Sequence, residues 1–257
     1  MTASPLFDVS GRLALVTGST RGIGRALAEG LVRAGCDVAV NGRSAEAAER
    51  VAAELSALGP GTAHACAFDV TDSAAVDAAV AALEEGVAPI DVLVNNTGMQ
   101  QRKPFTEFTD DEWQRLLDVN LTSAFTVARA VARRMVPRGR GKVVNVLSVQ
   151  SEVVRPGIAP YAATKGGLKM LTKGMCADLG GYGIQVNGLG PGYFATELTA
   201  ALVADEEFTA WVSGRTPAGR WGDVAELVGP LLFLCSDASG FVNGQTLHVD
   251  GGMLAVL

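Results

Sequence analysis

Apolar and polar positions divide the chain into blocks of two kinds. Short runs of valine, leucine, isoleucine and alanine, such as LALV at 13–16, alternate with longer segments that have helical spacing. Because the short runs are apolar on both faces, they predict strands of a parallel sheet that is covered by helices on both sides. The predicted strands are 13–17, 38–41, 63–69, 90–95, 142–148, 184–189 and 246–249, and the predicted helices lie near 22–34, 44–58, 72–85, 109–136, 158–179 and 222–236.

The order of these segments predicts the fold class. Regular alternation of strands and helices is typical of repeated βαβ units, so we predict an α/β protein: a single-domain, Rossmann-like, doubly wound parallel sheet flanked by helices. No internal repeat, linker or low-complexity segment interrupts the alternation, and 257 residues suffice for one large domain. We therefore expect one domain over 1–257.

Composition and charge narrow the class of protein. Hydrophobic residues make up 48% of the chain and charged residues 19%, which predicts a sizeable core rather than disorder. The net charge of −6 is spread along the chain without a basic tract, which argues against nucleic acid as a partner. The stretch at 1–13 lacks the basic start and apolar core of a signal peptide, and no apolar run is long enough to cross a bilayer. We expect a cytoplasmic protein that does not bind membranes.

The cysteines indicate no special chemistry. Cys36, Cys66, Cys176 and Cys235 are dispersed without a CxxC spacing, and the chain has only two histidines. This pattern predicts small buried thiols in a reducing compartment, and we predict no metal site.

Three glycines follow the first predicted strand at the start of the first predicted helix. In the stretch TGSTRGIG at 17–24 they are Gly18, Gly22 and Gly24. Glycines at such a join permit a tight turn and let backbone N–H groups approach a diphosphate at the positive end of a helix dipole. A structural turn would use one or two of them, whereas three at this spacing favour dinucleotide binding.

The spacing T-G-x-x-x-G-x-G resembles the classical short-chain dehydrogenase/reductase family. Further motifs of that family follow in order: NNTG at 95–98 in place of the usual N-N-A-G, DVNLTSAF at 118–125, YAATK at 161–165, GPGYFAT at 190–196 and VNGQTLHVDGG at 242–252. The resemblance covers essentially all of the chain and implies a cofactor half at about 1–150, with catalytic and substrate elements at about 145–257. It implies cofactor contacts from Gly18, Ser19, Thr20, Arg21, Gly22, Ile23, Gly24, Asn41, Gly42, Arg43, Asp69, Val70, Asn96, Thr97, Gly98, Tyr161, Lys165, Pro191, Gly192, Phe194 and Thr196.

The resemblance also implies a catalytic set of Asn120, Ser148, Tyr161 and Lys165. Tyr161 and Lys165 are four residues apart in one predicted helix, so their side chains share a face. Tyrosine ordinarily titrates near pH ~10, and we expect the ammonium and an oxidised nicotinamide to lower the pKa of Tyr161 for proton exchange with a substrate oxygen. Ser148 would hydrogen-bond the same oxygen, and by resemblance Asn120 holds a water that links Lys165 to solvent. The alternative is a packed aromatic side chain at Tyr161 and a strand-end cap at Ser148.

The residues after the second predicted strand, in DVAVNGRS at 37–44, predict the cofactor. An NAD-selective enzyme usually has Asp or Glu there to bind the ribose 2′-hydroxyl, whereas arginine suits a 2′-phosphate. Gly42 stands where the acid would fall, Arg43 follows it, and Arg21 supplies a second cation. We therefore predict NADP (NADPH) over NAD, with plain surface charges as the alternative. Asp69 and Val70 resemble the family's adenine-contacting pair, with an N-cap role for Asp69 as the alternative.

The substrate is predicted from segments expected beyond the carboxyl ends of the strands. QQRKPFTEF at 100–108, SEVVRPGIAPYAATKGGLKMLT at 151–172, GPGYFATELTAAL at 190–202 and RTPAGRWG at 215–222 resemble the gluconate 5-dehydrogenase (5-keto-D-gluconate reductase) branch of the family. This resemblance implies a small sugar acid, D-gluconate or 5-keto-D-gluconate, as substrate. We expect Arg102 to meet its carboxylate, and Gln150 and Glu152, together with Ser148 and Tyr161, to meet its hydroxyl and carbonyl groups.

Other activities stay open at this point. Reductases with the same core act on acyl-carrier β-keto thioesters and on other sugars or polyols. Arg102 and Lys103 would then form a solvated loop or a docking patch for an acidic carrier protein. A nucleotide-sensing protein without activity is expected to have a damaged catalytic set, whereas the set is intact here.

The family commonly forms tetramers. We therefore expect a homotetramer, with contacts from the predicted helices at 109–136 and 158–179 and from the apolar end GGMLAVL at 251–257.

Overall fold

All seven strands belong to one parallel sheet. In the computed structural model, which describes residues 5–257 apart from the side chain of Leu198, the strand order is β3-β2-β1-β4-β5-β6-β7. The stretch at 1–13, expected not to be a signal peptide, begins outside the described residues. The strands are β1 (Leu13–Val16), β2 (Asp37–Gly42), β3 (Ala63–Ala67), β4 (Ile90–Asn95), β5 (Gly141–Val146), β6 (Ile184–Pro191) and β7 (Thr246–Val249).

Helices cover both faces of this sheet. Their bounds are α1 (Gly22–Arg33), α2 (Ala45–Ser56), α3 (Ser73–Gly86), α4 (Asp110–Leu117), α5 (Ser123–Arg138), α6 (Ala159–Leu179), α7 (Ala200–Val203), α8 (Glu206–Arg215) and α9 (Val228–Cys235). Side chains of α1, α2 and α9 pack against one face, and those of α3 and α5 pack against the other. In the described part of the chain, no helix is both long and apolar enough to span a membrane.

The central strand β1 shows why its sequence is apolar without alternation. Ala14 and Val16 belong to the core cluster on one face of the sheet, whereas Leu13 and Leu15 belong to the cluster on the other. All four residues are buried, as expected for a strand that is covered by helices on both sides. The predicted doubly wound, Rossmann-like fold is confirmed.

The strand order reverses at β1 and places a crevice there. The chain moves outward from β1 through β2 to β3, and then returns to lay β4 along the other side of β1. Connections at the carboxyl ends of β1 and β4 therefore diverge. Ligands of open α/β sheets bind in such a crevice.

Two predicted elements differ from the structure. The predicted helix 109–136 is two helices, because a π-helical turn at Asp118–Thr122 separates α4 from α5. The spacing of apolar residues resumes after this turn, so the sequence pattern does not reveal it. The predicted strand 142–148 ends at Val146, and Ser148 instead begins the 3₁₀ turn Val149–Ser151.

The later connections also carry more structure than the sequence predicts. The predicted helix 222–236 is the 3₁₀ turn Val224–Leu227 followed by α9, and the segment 193–216 contains α7 and α8. We call 193–216 the flap. It closes one side of the crevice described next.

Candidate active site

A large cleft opens at the carboxyl ends of the strands. Its volume is about 1580 Å³, and it extends from the turn after β1 to the flap. Most of the predicted site residues line it, and Ser19, Asn120 and Glu152 do not. The predicted residues in its wall are Gly18, Thr20, Arg21, Gly22, Ile23, Gly24, Asn41, Gly42, Arg43, Asp69, Val70, Asn96, Thr97, Gly98, Arg102, Ser148, Gln150, Tyr161, Lys165, Pro191, Gly192, Phe194 and Thr196.

The glycine turn after β1 needs its glycines for two separate reasons. Gly18 and Gly22 have φ angles of 63° and 55°, in the left-handed region that side chains other than glycine's adopt at a cost. A Cβ atom on Gly24 would lie 2.4 Å from the carbonyl oxygen of Gly18, so any larger residue would push α1 away from the turn. The turn therefore holds the N-terminus of α1 directly against the cleft.

The N-terminus of α1 is chemically open. Its N-cap residue, Arg21, makes no capping hydrogen bond with its side chain, and the first backbone N–H groups of a helix have no partner within the helix. These donors and the positive end of the helix dipole favour an anion such as a diphosphate at this point.

Buried polar side chains hold the turn from beneath. Asn41 Oδ1 accepts a hydrogen bond from the Gly18 amide at 3.1 Å, and Asn96 Nδ2 donates to the Thr17 and Gly18 carbonyl oxygens at 2.9 and 3.1 Å. Ser19 Oγ accepts from the Asn41 amide at 2.9 Å and donates to the Val16 carbonyl oxygen at 2.7 Å. Ser19 is fully buried and lies outside the cleft wall. It therefore supports the turn, which corrects its prediction as a cofactor contact.

Two exposed cations line the cleft, Arg43 directly after β2 and Arg21 at the N-cap of α1. Arg21 and Arg43 both line it, and neither forms a salt bridge within residues 5–257. A Cβ atom on Gly42 would lie 2.7 Å from Cγ2 of Thr20. An acidic side chain could therefore stand at position 42 only if the Thr20 side chain turned away.

Asp69 lies on the same side of the cleft and does not cap a helix. Its carboxylate accepts hydrogen bonds from the amide and hydroxyl of Thr71, at 2.9 and 2.7 Å. These bonds, with the nearby charge of Arg43, hold the pKa of Asp69 below its ordinary value. Asp72 caps α3 instead, so the alternative N-cap role for Asp69 is wrong.

Tyr161 and Ser148 meet in the middle of the cleft. The Ser148 hydroxyl lies close enough to the Tyr161 phenol to favour its ionised form, and it accepts a hydrogen bond from the Gln150 amide at 3.1 Å. Ser148 thus caps a 3₁₀ turn rather than the strand end, and its hydroxyl role toward the substrate stays a prediction. The two hydroxyl groups can bind one substrate oxygen between them.

Lys165 lies behind Tyr161 on the same face of α6. Its Nζ is 5.9 Å from the centre of the Tyr161 ring and donates to the Val146 carbonyl oxygen at 2.8 Å. Burial lowers the pKa of Lys165 to about 8, because desolvation disfavours the charged form. The ammonium charge at this point is therefore lost in mildly alkaline solution.

The pKa of Tyr161 differs from the sequence-based expectation. It is raised in this structure, because burial disfavours the phenolate more than the hydrogen bond from Ser148 and the charge of Arg102 favour it. The free protein therefore holds Tyr161 as the phenol, which is the form that donates a proton.

Asn120 sits in the π-helical turn, just outside the cleft wall. Its side-chain oxygen accepts from the Met99 amide at 2.7 Å, and its Nδ2 donates to the Met99 carbonyl oxygen at 2.9 Å and to Thr164 Oγ1 at 3.1 Å. A Cβ atom on Gly98 would lie 3.5 Å from Asn120 Oδ1 and 3.7 Å from Lys165 Nζ, so both side chains flank Gly98. The Asn120 amide is occupied in tying the chain after β4 to the catalytic helix α6.

The polar residues predicted for the substrate divide into two groups. Arg102 and Gln150 line the cleft, and Gln150 Nε2 donates to the Tyr193 hydroxyl at 3.4 Å. Glu152 lies outside it, where its carboxylate forms a salt bridge with Lys169 and lies 3.5 Å from His248 Nε2. Its prediction as a substrate contact is therefore corrected.

The neighbours of Arg102 in the QRK stretch are engaged elsewhere. Lys103 forms a salt bridge with Glu112, and Gln101 donates a hydrogen bond to the same carboxylate. Glu112 also accepts from the Thr109 amide in the capping box of α4. The helix cap thus draws Gln101 and Lys103 away from the cleft and leaves Arg102 in its wall.

Comparisons with known proteins assign the family. A family model described as enoyl-(acyl carrier protein) reductase matches residues 18–254. Gluconate 5-dehydrogenase of Gluconobacter oxydans (strain 621H) is 56% identical over 257 residues, which is 100% of both chains. 5-Keto-D-gluconate 5-reductase of Escherichia coli (strain K12) is 53% identical over 252 residues, 98% of this chain and 99% of that one. The chain belongs to the short-chain dehydrogenase/reductase family.

A solved structure supports the same assignment. The crystal structure of a gluconate 5-dehydrogenase from Burkholderia cenocepacia J2315 in complex with NADP and tartrate matches with a TM-score of 0.95 at 53% identity, over 98% of this chain and 99% of that chain. This member of the short-chain dehydrogenase/reductase family is an oxidoreductase.

Two further residues of this short-chain dehydrogenase/reductase, Arg155 and Tyr193, line the cleft without having been predicted as site residues. Both stand in segments that the sequence assigns to the substrate side, but position alone does not show where a loop side chain points. A cation within a few residues of Ser148 was the available signal for Arg155. The signal for Tyr193 was its place at the start of the aromatic flap.

Proposed function

We propose that this protein is an NADP-dependent oxidoreductase that interconverts D-gluconate and 5-keto-D-gluconate, with Tyr161 as general acid and base. The two curated relatives described above are named for this pair of compounds, and one of them matches the whole chain at 56% identity. Chemical features of the cleft support the same conclusion from the residues themselves.

One observation supports a sugar acid as the substrate: the cationic side chain of Arg102 lies near Tyr161, the proposed proton donor. Arg102 lines the cleft close enough to Tyr161 for its charge to favour the phenolate. A sugar acid brings a carboxylate for this guanidinium and hydroxyl groups for Gln150 and Ser148. A polar pocket of this kind discriminates strongly against ligands that leave its groups unpaired.

The residues of the other end of the cleft fit a bound NADP. The glycine turn holds the open N-terminus of α1 against the cleft, and Thr97 Oγ1 is buried beside Gly18 with no hydrogen-bond partner among residues 5–257. Arg21 and Arg43 would hold a 2′-phosphate, which arginine binds through paired N–H groups, and Gly42 provides no acid to repel it. When bound, the cofactor supplies or accepts the hydride.

The roles of the chain's own groups follow from their positions. In reduction, the Tyr161 hydroxyl donates its proton to the substrate oxygen, and in oxidation the phenolate takes that proton back. The Ser148 hydroxyl steadies the charge that develops on the same oxygen. Lys165 provides a positive charge behind the tyrosine, and Asn120 fixes the backbone at Met99 against α6. The cofactor half then spans about 1–150, and the catalytic and substrate elements span about 145–257.

A panel of substrates tests this proposal against its nearest alternative. Purified protein should reduce 5-keto-D-gluconate with NADPH and oxidise D-gluconate with NADP, and should act less well on neutral sugars and polyols. The alternative is a 3-oxoacyl-carrier-protein reductase or another sugar or polyol dehydrogenase. Efficient reduction of a β-keto thioester without reduction of 5-keto-D-gluconate would reject the proposal.

We also propose that the protein works in the cytoplasm as a homotetramer. Large apolar side chains are exposed at Phe125 of α5, at Met170 of α6 and at the C-terminal Leu257, and burial between subunits would remove them from water. Light scattering that shows a monomer at micromolar protein concentration would contradict this assembly.

A further inference from the structure

Arg155 lies in the cleft wall with part of its guanidinium buried and unpartnered. Its Nε and Nη2 atoms are inaccessible to solvent and make no hydrogen bond in the described part of the chain. No carboxylate of residues 5–257 lies within salt-bridge distance of it. Because a buried charge without a partner is costly, this arrangement calls for an anion that the chain itself does not supply.

Aromatic side chains of the flap pack against the cationic side chain of Arg155. Its guanidinium carbon lies 5.2 Å from the centre of the Phe208 ring in the flap. Phe208 packs in turn against Tyr193 and Trp211, with ring centres 5.6 and 5.4 Å away. The aromatic flap thus covers one side of the cation, and the cleft lies on the other.

Arg102 stands close enough to Arg155 for the two charges to repel. Burial lowers the pKa of Arg102, and the charge of Arg155 lowers it further. Its Nη2 donates to Gln100 Oε1 at 3.0 Å, and a neutral amide oxygen does not neutralise the pair. Two arginines that face one cleft without an acid between them form a site for an anion.

We propose that Arg155 and Arg102 together hold the carboxylate of the substrate, and that Arg155 is the residue that selects acids over their neutral analogues. This inference rests on the proposed sugar-acid function and adds the residue that enforces it. The flap contributes directly, since Phe208 packs over the Arg155 guanidinium and holds this cation in the wall of the cleft. Lysine could not reproduce both the stacking and the paired hydrogen bonds.

The kinetic test compares an acid with its neutral analogue. For Arg155→Met, kcat/KM for 5-keto-D-gluconate should fall about 10²-fold through a higher KM, because charge-assisted hydrogen bonds to the carboxylate are lost. The same parameter for 5-keto-D-gluconamide, which has no carboxylate, should change by less than about 3-fold. Arg155→Lys should recover part of the loss. An equal loss for acid and amide would overturn the proposal.

The binding test needs no turnover. Tartrate, a hydroxy dicarboxylate, should bind to the wild-type protein with NADP in calorimetry and bind at least about 10-fold more weakly to Arg155→Met and to Arg102→Met. Arg33→Met is the matched control, because Arg33 is paired with Glu29 on the surface of α1. Equal affinity of wild type and Arg155→Met for tartrate would refute the carboxylate site.

Thermal unfolding separates a binding role from a structural one. Removing an unpaired buried charge should leave the Tm of ligand-free Arg155→Met equal to or above that of wild type, whereas tartrate should raise the Tm of wild type only. A lower Tm for the ligand-free variant would mean a structural role. If the variants lose tartrate affinity but wild type does not act on 5-keto-D-gluconate, the carboxylate site stands and the proposed reaction fails.

Discussion

The two ends of the cleft both carry a pair of arginines, but only at the substrate end is one of them partly buried. At the cofactor end, Arg21 and Arg43 are exposed to water at the edge of the sheet. At the substrate end, Arg102 is also exposed, but Arg155 is half-buried and packs against Phe208 of the flap. Exposed charges are weakened by water and salt, whereas partly buried charges are screened less. We therefore expect the first pair to tune the affinity for the cofactor, and Arg155 of the second pair to select the substrate.

The difference also separates two ways of stabilising a ligand. The glycine turn is rigid, because Asn41 and Asn96 fix it from beneath and Gly24 presses against the backbone of Gly18. The substrate end instead relies on side chains of the flap, whose helices α7 and α8 are short. Chemistry takes place between the two ends, at Tyr161, and the following predictions use this division.

The largest expected effect comes from the group between the two ends. Tyr161→Phe keeps the ring and removes the hydroxyl, so turnover should fall by at least ~10²–10⁴-fold, the usual contribution of positioned acid and base groups. Binding at both ends should survive. Fluorescence titration with NADPH and calorimetry with tartrate should give dissociation constants near those of wild type.

Two results for Tyr161→Phe would contradict this prediction. Turnover near the wild-type rate would show that another group transfers the proton. Loss of NADPH binding would show instead that the phenol is needed to build the cofactor end, which would break the division between the two regions.

The next largest effect concerns the exposed pair. An acid at position 42 should bind a ribose hydroxyl and repel a 2′-phosphate, but its Cβ would collide with Thr20 Cγ2 at 2.7 Å. The variant Thr20→Ser/Gly42→Asp/Arg43→Ala removes that methyl group. Its ratio of kcat/KM for NADPH to kcat/KM for NADH should fall by roughly 10²-fold, as expected for about 2–3 kcal/mol of lost charge-assisted bonds.

Thr20→Ser alone is the control for this change and should leave the ratio unchanged. If the triple variant keeps the wild-type ratio, the exposed arginines do not select the cofactor. Wild-type kcat/KM for 5-keto-D-gluconate at saturating cofactor should be retained, because the substituted residues lie at the other end of the cleft.

The glycine turn and the catalytic pair could be predicted from the sequence, because residues close together in the chain form each of them. Gly18, Gly22 and Gly24 are fixed by backbone conformation and close packing, and Tyr161 and Lys165 by helix periodicity, so their spacing in the chain carries their arrangement in space. The strands were predicted within two residues at each end for the same reason.

The remainder depends on contacts that are distant in sequence. Glu152 looked like a polar group for the substrate, but Lys169 and His248 hold it outside the cleft. Ser19 lies within the cofactor motif, but it faces the buried Asn41. Arg155 joins the site because Phe208, more than fifty residues away, packs on it. No local sequence pattern predicts such contacts between residues that are distant in the chain.

A smaller effect is expected on the pH profile. The pKa of Lys165 is about 8 because of burial, so its charge is present below this pH and is lost above it. If reduction needs the charged lysine behind Tyr161, kcat/KM for 5-keto-D-gluconate should fall about tenfold per pH unit above pH ~8. Arginine stays charged throughout this range. The variant Lys165→Arg should therefore turn over more slowly than wild type, but its kcat/KM should no longer fall above pH ~8. If kcat/KM of Lys165→Arg still falls above pH ~8, a group other than Lys165 causes the fall.

The smallest effect tests the comparison of the two arginine pairs directly. Raising the ionic strength from ~0.05 M to ~0.5 M shortens the Debye length severalfold, and exposed charges are screened more than enclosed ones. The KM for NADPH should therefore rise by a factor of roughly 3–10, whereas the dissociation constant of tartrate should change by less than about twofold. Arg21→Ala/Arg43→Ala should weaken NADPH binding at low salt and flatten its dependence on salt. If tartrate binding proves as sensitive to salt as NADPH binding, Arg155 is open to solvent in the working protein, and the flap does not cover it.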